Sequence, residues 1–113
     1  MKKTIIAIST LLSCSYIAAA QPKTASMSLA DCKNGAELFG AIVTTEAKCK
    51  IEFKDDFKNS YSQITKSCIK QYGSKPMQNS VSNGIEQINY EIYNKGLRST
   101  CDRAIEENSG YIK

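Results

Sequence analysis

The sequence predicts an all-α fold: a small disulfide-stapled antiparallel bundle of three main helices plus a short C-terminal helix. Three observations predict it. Apolar residues recur at spacings of three and four over long stretches, glycines fall where those patterns stop, and four cysteines remain once an N-terminal leader is set aside. No histidine occurs anywhere in the 113 residues.

The leader is Met1 to Ala20. Lys2 and Lys3 precede an apolar run that starts at Ile5, and Ala18, Ala19 and Ala20 stand before Gln21, the three parts of a secretory signal peptide. The apolar run is shorter than the roughly 20 residues of a membrane span, so the mature chain is expected to be soluble, with no integral span. Leu11, Leu12, Ser13 and Cys14 offer an alternative, because they resemble a lipobox in which Cys14 would carry a lipid anchor. The apolar stretch Tyr16 to Ala20 argues instead for cleavage after Ala20, since a lipidated chain usually turns polar after its cysteine. Gln21 to Met27 is polar and unpatterned and reads as a flexible lead-in, which leaves 28–113 as a single helical domain.

In the first helix Leu29, Cys32, Ala36, Phe39, Val43 and Ala47 step by three and four, with Ser28 as a cap. Gly35 and Gly40 lie inside it. Each costs about 1 kcal/mol against alanine, which suggests that a neighbouring helix approaches closely there, or that the helix begins only at Gly35. Lys50 to Lys54 alternates like a short strand, but no second alternating run is present to pair with it, so it reads as a connection.

Asp55 to Gly73 has the fullest helix signature and looks like the element around which the chain is organised. Asp55 and Asp56 supply capping acceptors, Phe57, Tyr61, Ile64, Cys68 and Tyr72 form one stripe, and Gly73 offers a left-handed stop. A third helix takes Pro76 in its first turn and aligns Met77, Val81, Ile85, Ile88 and Ile92 on one face, weakened by Gly84 and stopped by Gly96. A short fourth helix then runs from about Leu97 to Glu107, with Leu97, Cys101, Ala104 and Ile105 inward and Tyr111 to Lys113 as a tail.

An even number of cysteines in a small exported domain reads as a disulfide framework. Metal is not expected, because the spacing lacks close Cys pairs and the chain lacks histidine. Antiparallel packing selects the partners. The start of the first helix lies beside the end of the second, so Cys32 should pair with Cys68. The end of the first lies beside the end of the third, so Cys49 should pair with Cys101. A Cys49–Cys68 bond would instead have to cross about 18 Å of the second helix, where bridged Cα atoms lie under about 7 Å apart.

Function is approached by exclusion. Without histidine there is no triad base of the usual kind, and no glycine-rich phosphate loop precedes a helix, so neither an enzyme nor a cofactor is expected. Asp55 and Asp56 are better explained as helix-start charges than as a catalytic pair. Loss of Lys2 and Lys3 with the leader leaves 13 basic groups against 11 acidic ones, a net charge of +2 with no basic cluster, so nucleic acid is not an expected partner.

What remains is an exported, non-catalytic protein-binding module of periplasmic or secreted location, similar in size and layout to periplasmic inhibitors and immunity proteins. The alternatives are a secreted effector or toxin and a small periplasmic stress chaperone. If the third helix buries its aliphatic stripe, Tyr90 points about 180° away and Tyr93 about 120° away, with Glu86 on the same outer face. These three residues are the candidate partner-binding site.

Overall fold

A computed structural model describes residues 27–113. The expected signal peptide, Cys14 and all but the last residue of the expected lead-in lie outside the described residues. Four α-helices follow one another: α1 Leu29–Cys49, α2 Asp55–Tyr72, α3 Ser74–Lys95 and α4 Leu97–Glu107, with a final 3-10 turn at Ser109–Tyr111. Each matches a helix expected from the apolar spacing, and both expected disulfides are present. Cys32 and Cys68 bridge with their Cα atoms 5.7 Å apart, and Cys49 and Cys101 with theirs 5.5 Å apart.

The organising helix is α1 rather than α2. It packs against all three other helices and is buried on several sides, at Cys32, Gly35, Ala36, Gly40, Ile42, Thr44 and Thr45. Leu29 and Ala47, expected on its inner stripe, are exposed. An amphipathic stripe is the signature of a helix with one covered side, as in α2, so a helix covered on several sides gives a weaker periodic signal. Its two buried threonines do not disturb the interior, because Thr44 Oγ1 donates to the Gly40 carbonyl (2.8 Å) and Thr45 Oγ1 to that of Ala41 (2.7 Å).

The glycines explain how α1 accepts such close neighbours. A Cβ on Gly40 would overlap the Val81 carbonyl oxygen, and one on Gly84 would overlap the Glu37 carbonyl oxygen and lie 2.9 Å from the Ala41 nitrogen. The backbones of α1 and α3 therefore touch where they cross. Gly35 faces only the Ile64 methyl of α2 at 2.9 Å, well inside the helix, which begins at Leu29 with Ser28 Oγ accepting from Asp31 N–H (3.1 Å).

At the start of α2 the cap differs from expectation. Lys54 holds the N-cap position without a side-chain bond, and Asp55 and Asp56 occupy the first turn, where their charge meets the positive end of the helix dipole. Gly73 (φ 97°, ψ 160°) and Gly96 (φ 91°, ψ 155°) are each the single residue between two helices. Both lie outside the left-handed helical region expected for Gly73, in extended positive-φ backbone that side-chain-bearing residues rarely adopt. The left-handed stop is elsewhere, at Lys50 after α1 (φ 58°, ψ 41°).

Two apolar clusters share Ile64. One gathers Cys32, Ala36, Cys68 and Met77, and the other gathers Ile42, Phe53 and Tyr61. Met27 packs on the first, and its carbonyl accepts from Tyr72 Oη (2.7 Å) and Gln71 Nε2 (3.0 Å), so Met27, expected in the lead-in, is tied to the bundle.

The second cluster revises the reading of Lys50 to Lys54. Phe53 is 2% exposed and forms an antiparallel bridge with Ile112, with Lys54 N–H donating to the Tyr111 carbonyl (2.7 Å) and Lys113 N–H to that of Glu52 (2.9 Å). The pairing partner is the C-terminal tail. Tyr111 stacks on Phe57 with ring centroids 4.4 Å apart, and Lys113 Nζ lies 3.5 Å from Asp55 and 3.6 Å from Glu52. Asp55 first and Glu52 second hold the Lys113 ammonium above the ordinary lysine range. Burial, with a smaller contribution from Tyr111, pushes the Tyr61 phenol up to about 12. Glu46 anchors the same segment from α1: its Oε2 accepts from Phe53 N–H (2.9 Å) and pairs with Lys58 Nζ (3.1 Å).

Helix α4 is only lightly buried. Thr100 and Ala104 face inward, whereas Leu97 and Ile105, expected to be covered, remain exposed. What holds it is largely polar and covalent. Cys101 ties it to the end of α1, and Arg103 makes a two-pronged bond to Glu91 of α3, through Nε (2.7 Å) and Nη2 (2.6 Å).

Candidate functional site

The outer face of α3 carries the three candidate residues, and the burial pattern of the opposite face determines where they point. The side of α3 that meets α1 is Met77, Ser80, Gly84 and Ile88, while Val81, Ile85 and Ile92 are only partly covered. At 100° per residue this places the centre of the buried face about 55° from the centre of the aliphatic stripe. The rotation has a physical cause. Gly84 of α3 and Gly40 of α1 let the two backbones come close, and the side chains of Val81 and Ile85 are left only partly covered beside the contact.

The rotation changes the roles of the two tyrosines. Tyr93 now lies about 180° from the buried face and Tyr90 about 125° round, the reverse of the order expected from the aliphatic stripe. Exposure agrees, at 87% for Tyr93 and 71% for Tyr90. Tyr93 does not pack under α4. Glu86 is exposed too, so Glu86, Tyr90 and Tyr93 fall at i, i+4 and i+7 of one stripe, about 10 Å long on the helix axis. Leu97, half-exposed, follows just beyond Gly96 at the start of α4.

The stripe stands on a braced support. Beneath its C-terminal half, Glu91 receives both prongs of Arg103, which also donates from Nη1 to Glu107 (2.9 Å). The hydrogen bonds to Glu91 above all raise the Arg103 pKa, so the guanidinium stays charged throughout the ordinary pH range. Bidentate arginine–carboxylate pairs fix geometry as well as adding attraction, so the end of α3 is held in a defined orientation against α4. Asn94 caps its own turn by donating to the Tyr90 carbonyl (2.9 Å) and leaves both phenol rings uncovered. The Glu91–Arg103–Glu107 brace was not expected from sequence. Arg103 and Glu107 at i, i+4 were a visible signal, but Glu91 joins them only through the fold.

Among the described residues no group of three His, Cys, Asp or Glu side chains is placed to hold a metal ion, and all four cysteines there are in disulfides. Asp55 and Asp56 are exposed at the start of α2, and Asp55 is engaged by Lys113. No described helix is long and apolar enough to cross a membrane, and the two disulfides suit an oxidising compartment. Compared with protein-family models, curated proteins and solved structures, the chain has no match.

Proposed function

We propose that this chain is an exported, non-catalytic protein-binding module, of the inhibitor or immunity-protein kind, that meets its partner through Glu86, Tyr90 and Tyr93. The single observation behind the reading is the pair of tyrosines left almost uncovered on a helix braced from behind by Arg103. Tyrosine offers a large contact area with only two side-chain torsions to immobilise, and it is enriched where binding energy concentrates in interfaces. Leu97 would extend the apolar part of the contact, and Glu86 would sit at its rim. An encounter outside the cytoplasm, in the periplasm or the medium, is the reading that the signal-like leader and the disulfides support.

The test is affinity capture with the oxidised domain from periplasm and from neighbouring-cell lysate, followed by mass spectrometry and titration of the captured protein. Tyr90→Ala and Tyr93→Ala should each leave folding stability within about 0.5 kcal/mol of wild type, as surface changes do, yet weaken binding by about 2 kcal/mol, roughly thirtyfold. A partner bound equally well by both variants would remove this face from consideration. Turnover of a substrate by the purified domain would remove the non-catalytic reading itself.

A further inference from the structure

The two disulfides sit in different surroundings. Cys32 and Cys68 are 0% and 1% exposed, inside the cluster with Ala36 and Met77, while Cys49 and Cys101 are partly open to solvent at the junction of α1 and α4. A reducing thiolate must reach a sulfur in line with the bond it breaks, so access is the first control on rate. The second difference is what each bond holds. Cys32–Cys68 joins two helices that already share an apolar core, whereas Cys49–Cys101 holds α4, which buries only Thr100 and Ala104 and hangs from α3 by the single residue Gly96.

We propose that Cys49–Cys101 is a redox latch that an external dithiol can open in the folded protein while Cys32–Cys68 stays closed. The dithiol's thiolate attacks one sulfur of the pair, forming a mixed disulfide and releasing the other cysteine as a thiolate. The dithiol's second sulfur then displaces the protein. The net transfer is two electrons and two protons to Cys49 and Cys101, and the reductant leaves as a disulfide. Opening frees α4 together with the strap that follows it, since Tyr111 and Ile112 reach Phe57 and Phe53 only through the α4 connection. The freed form presents the Phe53–Phe57 surface and the unpaired backbone of Glu52 and Lys54, an apolar edge that the closed form covers with its own tail.

The bracing by Arg103 and Glu91 sets a limit on the motion, and the proposal requires that this ion pair not hold α4 by itself. With side chains 24% and 19% exposed the pair is bidentate and mostly covered, so its hold on α4 is the part of the proposal that amide exchange after reduction tests directly.

The experiment is graded reduction of the native protein with dithiothreitol, quenching by alkylation, and peptide mapping, together with amide exchange on the partly reduced form. Cys49 and Cys101 should be alkylated at least tenfold faster than Cys32 and Cys68. In that two-thiol species the Lys54 and Lys113 amides should exchange at least tenfold faster, with the α1–α3 crossing around Gly40 and Gly84 still protected. Cys49→Ser with Cys101→Ser should reproduce the exchange pattern without reductant. The latch is refuted if both disulfides open together, if Cys32–Cys68 opens first, if the Lys54 and Lys113 amides stay protected after reduction, or if the double serine variant loses the α1–α3 core.

Discussion

Replacing Gly84 with alanine sets two effects of opposite sign against each other, and the structure decides which wins. Mid-helix, alanine is favoured over glycine by about 1 kcal/mol, so propensity alone makes the variant more stable. The new methyl, however, would overlap the Glu37 carbonyl oxygen and sit 2.9 Å from both the Glu37 carbonyl carbon and the Ala41 nitrogen. These are backbone atoms of a hydrogen-bonded helix, and no side-chain rotation relieves the contact. Helices α1 and α3 must move apart, which costs the packing along their whole crossing. Overpacking of a well-filled interior typically costs about 1–3 kcal/mol, and a backbone contact belongs at the upper end of that range or above it. The net expectation is a loss of about 2 kcal/mol, which for a domain of this size lowers Tm by about 8–16 °C. Gly35→Ala is the internal control, because its methyl would meet the Cγ2 methyl of Ile64, a side-chain atom, rather than backbone, and its loss of stability should be smaller than that of Gly84→Ala. Both variants are measured by thermal and urea unfolding of the oxidised protein, followed by circular dichroism. Gly84→Ala at or above wild-type stability would show that helix propensity prevails and that α1 and α3 do not meet at this glycine.

Two further perturbations test other parts of the fold. Lys50→Gly should raise stability by about 0.5–1 kcal/mol in urea unfolding, because a side-chain-bearing residue is held at φ 58° where glycine carries no steric penalty; no gain would argue against the left-handed cap at the end of α1. Tyr61 should make the domain alkali-sensitive. An unfolded tyrosine loses its proton near pH 10, whereas the buried one keeps it to about 12, so stability is intact below pH 10 and falls by about 3 kcal/mol on going to pH 12. Brief urea titrations across that window should show the decline in wild type and a shallower one in Tyr61→Phe, and equal slopes would mean that Tyr61 ionises as freely folded as unfolded.

Local signals in the chain carry most of the helical layout. The start of α1 and the junctions between α2 and α3 and between α3 and α4 follow from Ser28, Gly73, Pro76 and Gly96 together with three- and four-residue apolar spacing, because caps and stops act within a turn and leave their mark in the adjacent residues. The disulfide pairing was legible for a different reason. With helix lengths known and short connections forcing antiparallel neighbours, the separation of Cys49 from Cys68 along α2 excludes that bond, and the arrangement that brings both remaining pairs into range is the one observed.

The features that escaped are those whose cause lies far away in sequence. Lys50 to Lys54 alternates like a strand, but its partner is three residues long and lies nearly 60 positions later, so no run of alternation could announce it. The same distance effect shaped the reading of the candidate surface. Aliphatic spacing finds the apolar side of α3 correctly, yet the side that α1 touches is set by where its backbone can come nearest, and that is at the residues without a side chain, Gly84 of α3 and Gly40 of α1. A stripe drawn through the largest residues therefore missed the buried centre by about half a helix quadrant, which is enough to exchange the positions of Tyr90 and Tyr93 without burying either. The surface itself was thus visible in sequence, because two tyrosines three positions apart on a helix with a full apolar stripe elsewhere have few places to hide. Its bracing was not, because Glu91 becomes a partner of Arg103 only when Gly96 turns the chain and lays α4 back against α3. Removal of that turn by Gly96→Ala would strain a backbone at φ 91° and loosen the brace, so the tyrosine stripe depends on a residue it never touches.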